Sequence, residues 1–504
     1  MFDLIRLSEP LLVFRYDQMM EDPRDGLTLF GPLDAGKPYG IRAGVIGTPD
    51  GIRRFKQWVQ RIQTPTSTET PDIARPIFPG FEAVFRIPWN PRPAIEIQIP
   101  KAELADVVRY DDRHQRVFYT VGAYADRIIQ AIRDEDVGVD TWFVIVPDDV
   151  YKYCRPRSYV PSSVTVTAPN HMKIRTAQML LTQPSLFEED NLGAVPYYYD
   201  VNFHNQLKAR LLKYQAPTQV IRESTIAHRQ VLNDYGKPLR DLDGQESAIA
   251  WNLTTTAFYK AGGRPWKIGG IREGVCYVGM VFKRVQTSPD PNWSCCAAQM
   301  FLDSGDGVVF RGAVGPWYSP ITEEYHLSRQ SATELVSLVL NAYEKLHGRP
   351  PRELFLHGRA RFSDEEWGGF RDAITGTATQ LVGVRIRDET DFKLYRLGDH
   401  PVLRGLAYIR DERTAYLWTK GYVPRLRTYP GREVPRPVLI DVCRGEAAMS
   451  TVLSDILALT KLDYNACIFA DGYPVTLVFA DAVGKILTAG PIEDIPPLSF
   501  KHYI

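Results

Sequence analysis

Apolar runs and amphipathic stretches alternate in the first half of this chain as strand, then helix, then strand. Residues 41–48 form an apolar run with little polar interruption, predicting a strand. Residues 49–62 carry apolar positions at helical spacing, with Thr48 as a plausible cap and Pro49 at the first helical position. The polar loop 63–68 follows, and its Pro65 ends that helix. A helix near 124–134 precedes the apolar strand 141–146, which closes at Pro147. Residues 153–199 are rich in Pro, Ser and Thr and are expected to be irregular. A helix over 203–213, a short strand over 218–221 and a helix over 244–260 follow. The last stops at Ala261-Gly262-Gly263, with Lys260 in its final turn, where the helix dipole favours a cation. Ahead of all this, residues 22–26 and 30–33 are turn-rich and strand-flanked. The alternation implies a parallel α/β layer.

The pattern changes after a boundary placed near 264–274. From Val275 to Ile386 the expected order is three short strands in hairpin succession, a helix, a strand, a second helix and a final strand. Asp303-Ser304-Gly305-Asp306-Gly307 supplies hairpin-turn chemistry. The first helix, 330–346, carries Leu335, Leu338, Val339, Ala342 and Leu346, then Gly348, Pro350 and Pro351 as stop signals. A strand pair (404–409 and 414–419) and a helix over 445–461 complete the second half. The order from 275 to 386 is that of a ribonuclease-H-like sheet. Its hydrolytic chemistry needs carboxylates at fixed points to hold two divalent metals roughly 4 Å apart. Here the first strand, 275–283, contains no acid, and the strand at 354–358 ends in His357-Gly358. Such a domain is expected to bind nucleic acid and leave it uncut.

Composition narrows the picture. The 504 residues are 44% hydrophobic and 24% charged, ordinary for a globular chain of two or three domains. Sixty basic residues against sixty acidic ones give no net charge, so any nucleic-acid site must be local or completed by a partner. The six cysteines (Cys154, Cys276, Cys295, Cys296, Cys443 and Cys467) show no zinc-like pairing and read as reduced packing residues. No stretch approaches the ~18 apolar residues of a membrane span, and the first residues lack a signal-peptide pattern. A cytoplasmic protein with no membrane partner is expected.

Local charge is uneven. Residues 151–240 hold twelve lysines and arginines against six acids, which suits either a phosphate-binding face or a solvated helix surface. Within that stretch Tyr151 and Arg155 are four apart, so one helical turn would put them on one face. Arginine can fork onto phosphate oxygens, and tyrosine can stack on a base. Gln219 sits in a strand and Lys260 at a helix end. Each alone fits an ordinary structural role, whereas their joint order is harder to reach by chance. Asp303, Asp306 and Glu324 read as turn or surface acids, and His357 as a strand-end histidine. The glycines at 40, 44 and 47 lack dinucleotide-fingerprint spacing.

Several segments together make the chain resemble the short prokaryotic Argonautes, which consist of a MID and a PIWI domain. They are Asp22-Pro23-Arg24-Asp25-Gly26, Val144-Ile145-Val146-Pro147 leading to Tyr151, Thr218-Gln219-Val220 and Tyr259-Lys260-Ala261-Gly262-Gly263. Further on come Cys276-Tyr277-Val278-Gly279, Leu457-Ala458-Leu459-Thr460-Lys461 and Tyr473-Pro474-Val475-Thr476-Leu477. The resemblance implies an α/β chain with a Rossmann-like MID domain (41–265) packed on a ribonuclease-H-like PIWI domain (266–504). Residues 1–40 would be a strand segment on the latter. It implies a pocket for the 5′ phosphate of a guide RNA on Tyr151, Arg155, Gln219 and Lys260, with Lys208 as a further contact. Arg155 departs from the family's lysine. A magnesium ion would sit at that phosphate, held by Gln219 and the Ile504 carboxylate, with Phe500 and Tyr503 anchoring the tail. The family's cutting positions fall on Val281 and on His357 or Gly358, with Asp463 alone near the fourth, so no slicing is expected. By resemblance, the chain pairs its guide with a complementary single-stranded DNA target from an invading plasmid or phage. It would form a heterodimer with a TIR-APAZ or sirtuin-APAZ effector that degrades NAD, causing abortive infection. The competing reading is a stand-alone guided nuclease with a rearranged metal site.

Overall fold

The structure is a computed structural model that describes residues 3–67, 73–134, 138–284, 294–302, 307–314, 317–320, 323–429, 431, 433–491 and 496–504. It is an α/β protein built on two large sheets. The first has four parallel strands in the spatial order Ile95–Gln98, Ala43–Gly47, Thr141–Val146, Thr218–Arg222. Every residue of Ala43–Gly47 and Thr141–Val146 is buried, which is why those strands read as apolar runs rather than alternating ones. Helix Pro49–Arg61 covers one face and packs Phe55 and Trp58 against Trp89 and Phe143. Thr48 caps it as expected, accepting from Gly51 N at 3.0 Å. Helices Arg113–Asp134 and Phe203–Leu211 cover the other face. At Gly44 a Cβ would fall 2.6 Å from the Trp142 ring, so only glycine admits that ring.

The second sheet has ten strands. Its middle, in spatial order, is Gln380–Asp388, Glu353–Gly358, Val275–Arg284, Ser294–Leu302, Gly307–Val314. The last three form antiparallel hairpin partners, and Glu353–Gly358 pairs in parallel with both of its neighbours. This is the ribonuclease-H order read from the sequence. Val438–Arg444, Thr414–Leu417, Leu406–Ile409 and Asp3–Arg6 extend one edge, and Leu498–Ser499 closes the other. Helix Val475–Leu487 lies across the strand Val275–Arg284 at Gly279, where a Cβ would meet Thr476 O at 1.9 Å.

The two layers are tied by side chains. Trp266 Nε1 donates to Lys461 O at 3.1 Å, Tyr464 Oη to Trp266 O at 2.6 Å, and Thr256 Oγ1 to Asn465 O at 2.9 Å.

Several expectations need correction. The turn-rich segment near residue 22 is a helix, Pro23–Phe30, capped by Asp22. The helix expected at 124–134 begins at Arg113, because Asp112 caps it by accepting from His114 N and Gln115 N. The stretch expected to be irregular contains helices Ile174–Thr182 and Glu188–Ala194, which bury only Ala177, Gly193 and Ala194 and so leave little apolar periodicity. Helix Arg329–His347 buries Ala332, Leu335, Val336, Val339, Leu340 and Tyr343, while Leu338 and Leu346 face outward. The helix read over 445–461 spans Met449–Leu459. Strand Val438–Arg444 and helix Val475–Leu487 were not anticipated. Asp303 and Asp306 lie outside the described residues.

Candidate nucleic-acid interface

Two groups of polar side chains lie at the two ends of the strand Thr218–Arg222, the first at its start and the second at the carboxyl edge of the four-stranded sheet, where parallel strands usually present their ligands. The first is buried. Lys208, from helix Phe203–Leu211, and Lys260, from the last turn of helix Glu246–Lys260, are each 2% exposed. Both ammonium groups donate to the Thr218 carbonyl, at 3.0 Å and 2.8 Å. Lys208 also donates to the main-chain oxygen of Ile504 at 2.5 Å, across 296 residues of sequence. That oxygen is carried in by the apolar tail: Phe500 stacks on Phe479 with ring centroids 3.7 Å apart, and Tyr503 and Ile504 are buried. Among the described residues no carboxylate side chain forms an ion pair with either lysine.

The electrostatic consequence is plain. Burial pushes the Lys208 ammonium down to about 7. It pushes Lys260 well below its ordinary value, with Lys208 adding repulsion. An ammonium deprived of water and of a counter-charge favours its neutral form. Neighbouring groups show the same excess of positive field. His502 is lowered to about 4 by burial, then by Lys501 and Lys208, and its Nδ1 is buried without a hydrogen-bond partner. Gln219 Nε2 donates to Leu253 O at 3.2 Å, while its Oε1 is buried and unpartnered.

The second group lines an open cleft. Tyr151, on the short helix Asp148–Tyr153, is 44% exposed and lies between two guanidinium groups. Arg155 Cζ is 4.4 Å from its ring centroid and Arg222 Cζ is 3.9 Å away. The helix stops before Arg155, yet the two side chains still meet. A cavity of about 540 Å³ is lined by Tyr151, Arg155, Asn202, His204, Arg222 and Leu253, and adjoins a larger lobe of about 970 Å³ that Arg157 and Arg240 help line. His204 joins the two groups. It faces solvent from deep in the cleft, where crowding and then Lys208 and Lys260 lower it to about 3.

The structure therefore gathers Lys208, Lys260 and Ile504 around Thr218, with Gln219 next in chain. It places Tyr151 with Arg155 in the adjoining cleft. Arg222, His204, Asn202 and Arg240 were not singled out from sequence. Arg222 ends the strand that carries Gln219, and a strand-end arginine at the carboxyl edge of a parallel layer was the available signal.

The ribonuclease-H-like sheet is different. Val281 is buried, and His357 donates or accepts at Nδ1 with Thr476 Oγ1 over 3.0 Å. Burial lowers His357 to about 3, so it is neutral near pH 7. Gly358 pairs with Met280 on one side and Arg385 on the other. Asp463 accepts from Asn465 N at 2.7 Å, and burial outweighs that bond and lifts its carboxyl to about 6. The groups that act on its carboxyl are Asn465 and Asp471. Glu324 sits in the short strand Glu324–His326. Among the described residues the one group spaced for a metal is His228, Asp243 and Glu246 on the other layer. Arg229 occupies both of those carboxylates, at 3.0 and 3.2 Å. No described helix is long and apolar enough to cross a membrane, and none of the cysteines Cys154, Cys276, Cys443 and Cys467 is in a disulfide.

No family model and no curated protein matches the sequence. Solved structures do match the fold. The Clostridium butyricum Argonaute bound to a guide DNA and a 19-mer target DNA aligns with a TM-score of 0.62 at 14% identity, over 98% of this chain and 54% of that one. Drosophila Piwi aligns at 0.57 and 13%, over 99% and 56%. The A. aeolicus Argonaute aligns at 0.54 and 14%, over 98% and 54%. The chain has an Argonaute-like fold and spans about half the length of these proteins.

Proposed function

We propose that this chain is the guide-binding subunit of an RNA-guided prokaryotic defence complex. The 5′ phosphate of a guide RNA would settle against Lys208, Lys260 and Gln219, with the first nucleotide in the cleft of Tyr151, Arg155 and Arg222. The observation that carries the reading is the pair of buried ammonium groups on one carbonyl, without a carboxylate side chain. Such an arrangement is costly unless an anion completes it. A phosphate dianion would restore the protons that burial drives off, and charge-assisted hydrogen bonds would then form in low dielectric. Arg222 and Arg155 cover the Tyr151 ring in this state, so one of them would move aside for a base to stack there.

Magnesium belongs to the same proposal. Gln219 Oε1, buried and unpartnered, and the Ile504 oxygen are the hard donors that such an ion takes. Bound there, it would neutralise phosphate charge. Lys208 already holds the Ile504 oxygen, so the lysines would carry most of the binding.

Pairing of the guide with complementary single-stranded DNA would supply specificity, and the chain would not cut. The reading as a non-slicing subunit is supported by Val281, Gly358 and the neutral His357 at the strand ends. The NAD-degrading TIR-APAZ or sirtuin-APAZ partner, and cell death on plasmid or phage invasion, complete the proposal. Two measurements test it. Purified chain should bind 5′-phosphorylated RNA at least about 10-fold more tightly than 5′-hydroxyl RNA, as expected for loss of charge-assisted contacts. Co-expression with a TIR-APAZ or sirtuin-APAZ effector should deplete NAD only when complementary DNA is present. Equal affinity for both RNA ends, or guide-dependent cut product with Mg²⁺ or Mn²⁺, would refute it.

A further inference from the structure

A separate polar cluster lies where the chain passes from the strand Thr218–Arg222 to helix Glu246–Lys260. His228 follows the short helix Glu223–Ile226, Asp243 precedes a turn at Gly244 (φ 74°), and Glu246 is the first helical residue. The loop between them closes so that three ligand atoms converge. His228 Nε2 lies 3.1 Å from Asp243 Oδ1 and 3.6 Å from Glu246 Oε1, and all three atoms fall within 4.8 Å of one another. His228 is buried, Glu246 half-buried and Asp243 exposed, which gives the cluster a closed floor and an open mouth. Beside it is a cavity of about 370 Å³, lined by His228, Arg229, Glu246, Arg61 and Thr66 among others. The Thr66 hydroxyl oxygen is buried without a hydrogen-bond partner.

A tetrahedral zinc ion, with bonds of about 2.1 Å, sets its ligand atoms about 3.4 Å apart. The two histidine distances bracket that value. One imidazole nitrogen with two carboxylate oxygens suits zinc better than magnesium, which prefers an octahedron of oxygens. Arg229 now sits on the carboxylates, 3.0 Å from Asp243 and 3.2 Å from Glu246, and its side chain is 64% exposed. Such an exposed pair holds weakly, so the guanidinium can swing into water. A divalent ion between the same oxygens would bring twice the charge at shorter range. Arg61, the other cation on the cavity, is held by Ile226 O at 2.9 Å.

We propose that His228, Asp243 and Glu246 bind a divalent transition-metal ion of the zinc class, which displaces Arg229 as it enters. Three protein ligands leave a fourth position for water. The bound ion would clamp the segment after strand Thr218–Arg222 to the first turn of the helix whose last turn carries Lys260. This inference stands apart from the guide-binding reading, and the magnesium proposed at Gln219 is a different ion at a different place.

The test uses the full chain, stripped by a chelator, with Zn²⁺ alone as the probe. Titration calorimetry should show Zn²⁺ binding, and the melting temperature should rise with Zn²⁺ concentration. Asp243→Asn, an exposed change, should weaken Zn²⁺ at least about 10-fold. Arg229→Gln should tighten it by about 10-fold, because the competing cation is gone. A purely structural ion-pair cluster gives the opposite result, with no gain on Arg229→Gln. Excess Mg²⁺ should leave Zn²⁺ in place. Co²⁺ used instead of Zn²⁺ should give the visible bands of nitrogen and oxygen ligation, without a thiolate charge-transfer band. A thiolate band, unaltered affinity in Asp243→Asn, or affinity that fails to tighten in Arg229→Gln overturns the proposal.

Discussion

Buried lysines occur in two regions of this molecule, and the regions treat them differently. Lys461, at the join between the layers, has a fully buried side chain that bonds Glu9 Oε1 at 3.0 Å, Pro10 O at 3.0 Å and Glu21 O at 2.7 Å. Glu9 is shared with buried Arg404. Lys208 and Lys260 share the Thr218 carbonyl, and Lys208 adds the Thr218 hydroxyl and the Ile504 main-chain oxygen; among the described residues neither meets a carboxylate side chain. Burial lowers all three, but Lys461 falls to about 8, with Glu9 opposing the shift, whereas Lys208 falls to about 7. A lysine that ties the structure together brings its own counter-ion, and one that waits for a ligand does not. Charge without a partner is thus informative in proportion to how deeply it is buried.

The sharpest way to break that contrast is to remove each ammonium in turn. Lys260→Met should lower affinity for 5′-phosphorylated RNA by about 100-fold, the scale of a lost charge-assisted contact in low dielectric. Because an unpaired buried charge is being replaced by an apolar side chain, the melting temperature should hold or rise. Lys461→Met should do the reverse. It should cost about 3 kcal/mol in denaturant titration while leaving the affinity of the folded protein unchanged. If both variants lose stability alike, the distinction between the two regions is wrong.

Acidity sharpens the same comparison. The folded pKa of Lys208 lies below its unfolded value of about 10.4. Between about 7 and that value the unfolded chain therefore binds more protons, and the ligand-free protein should grow more stable as pH rises across this window. Phosphate binding needs the proton back. Affinity for 5′-phosphorylated RNA should therefore fall above pH 7, approaching ~10-fold per unit for one coupled proton. Titration calorimetry in buffers of differing ionisation heat should register proton uptake on binding near pH 8, and no uptake would contradict the assignment.

Smaller effects follow at the rim of the pocket. Gln219→Leu removes a buried unpartnered acceptor, so it should weaken guide binding about 10-fold and stabilise the free chain by about 1 kcal/mol. Chelation by EDTA should lower guide affinity least of all, by less than about 10-fold, since both lysines remain. A larger loss on chelation than on Lys260→Met would make the metal, rather than the lysines, the principal phosphate ligand.

Much of the fold was legible because local signals agreed. Thr48 and Pro49 announce a helix start, an uninterrupted apolar run marks Thr141–Val146, and Gly348 with Pro350 and Pro351 marks a helix end. Helix Val475–Leu487 was missed because it is apolar on nearly every side, leaving no 3.6-residue contrast to detect. In strand Val438–Arg444 the buried Asp441 breaks the apolar run, and Arg361 satisfies it only after folding. The candidate site divides in the same way. Tyr151, Arg155, Gln219 and Lys260 stood out by order and type, while Arg222 and His204 looked like ordinary members of a basic stretch.

What the sequence determined by itself was local: where backbone hydrogen bonding starts and stops, which faces are apolar, and which strand ends lack carboxylates. Those depend on neighbours within a few residues, so they survive reading one position at a time. What only the tertiary structure decided was convergence. Lys208 reaches Ile504 across 296 residues, and Gly358 stands beside Arg385 through strand register alone. Whether a buried charge has a partner is a property of the packed interior, because desolvation and counter-ions act through space rather than along the chain.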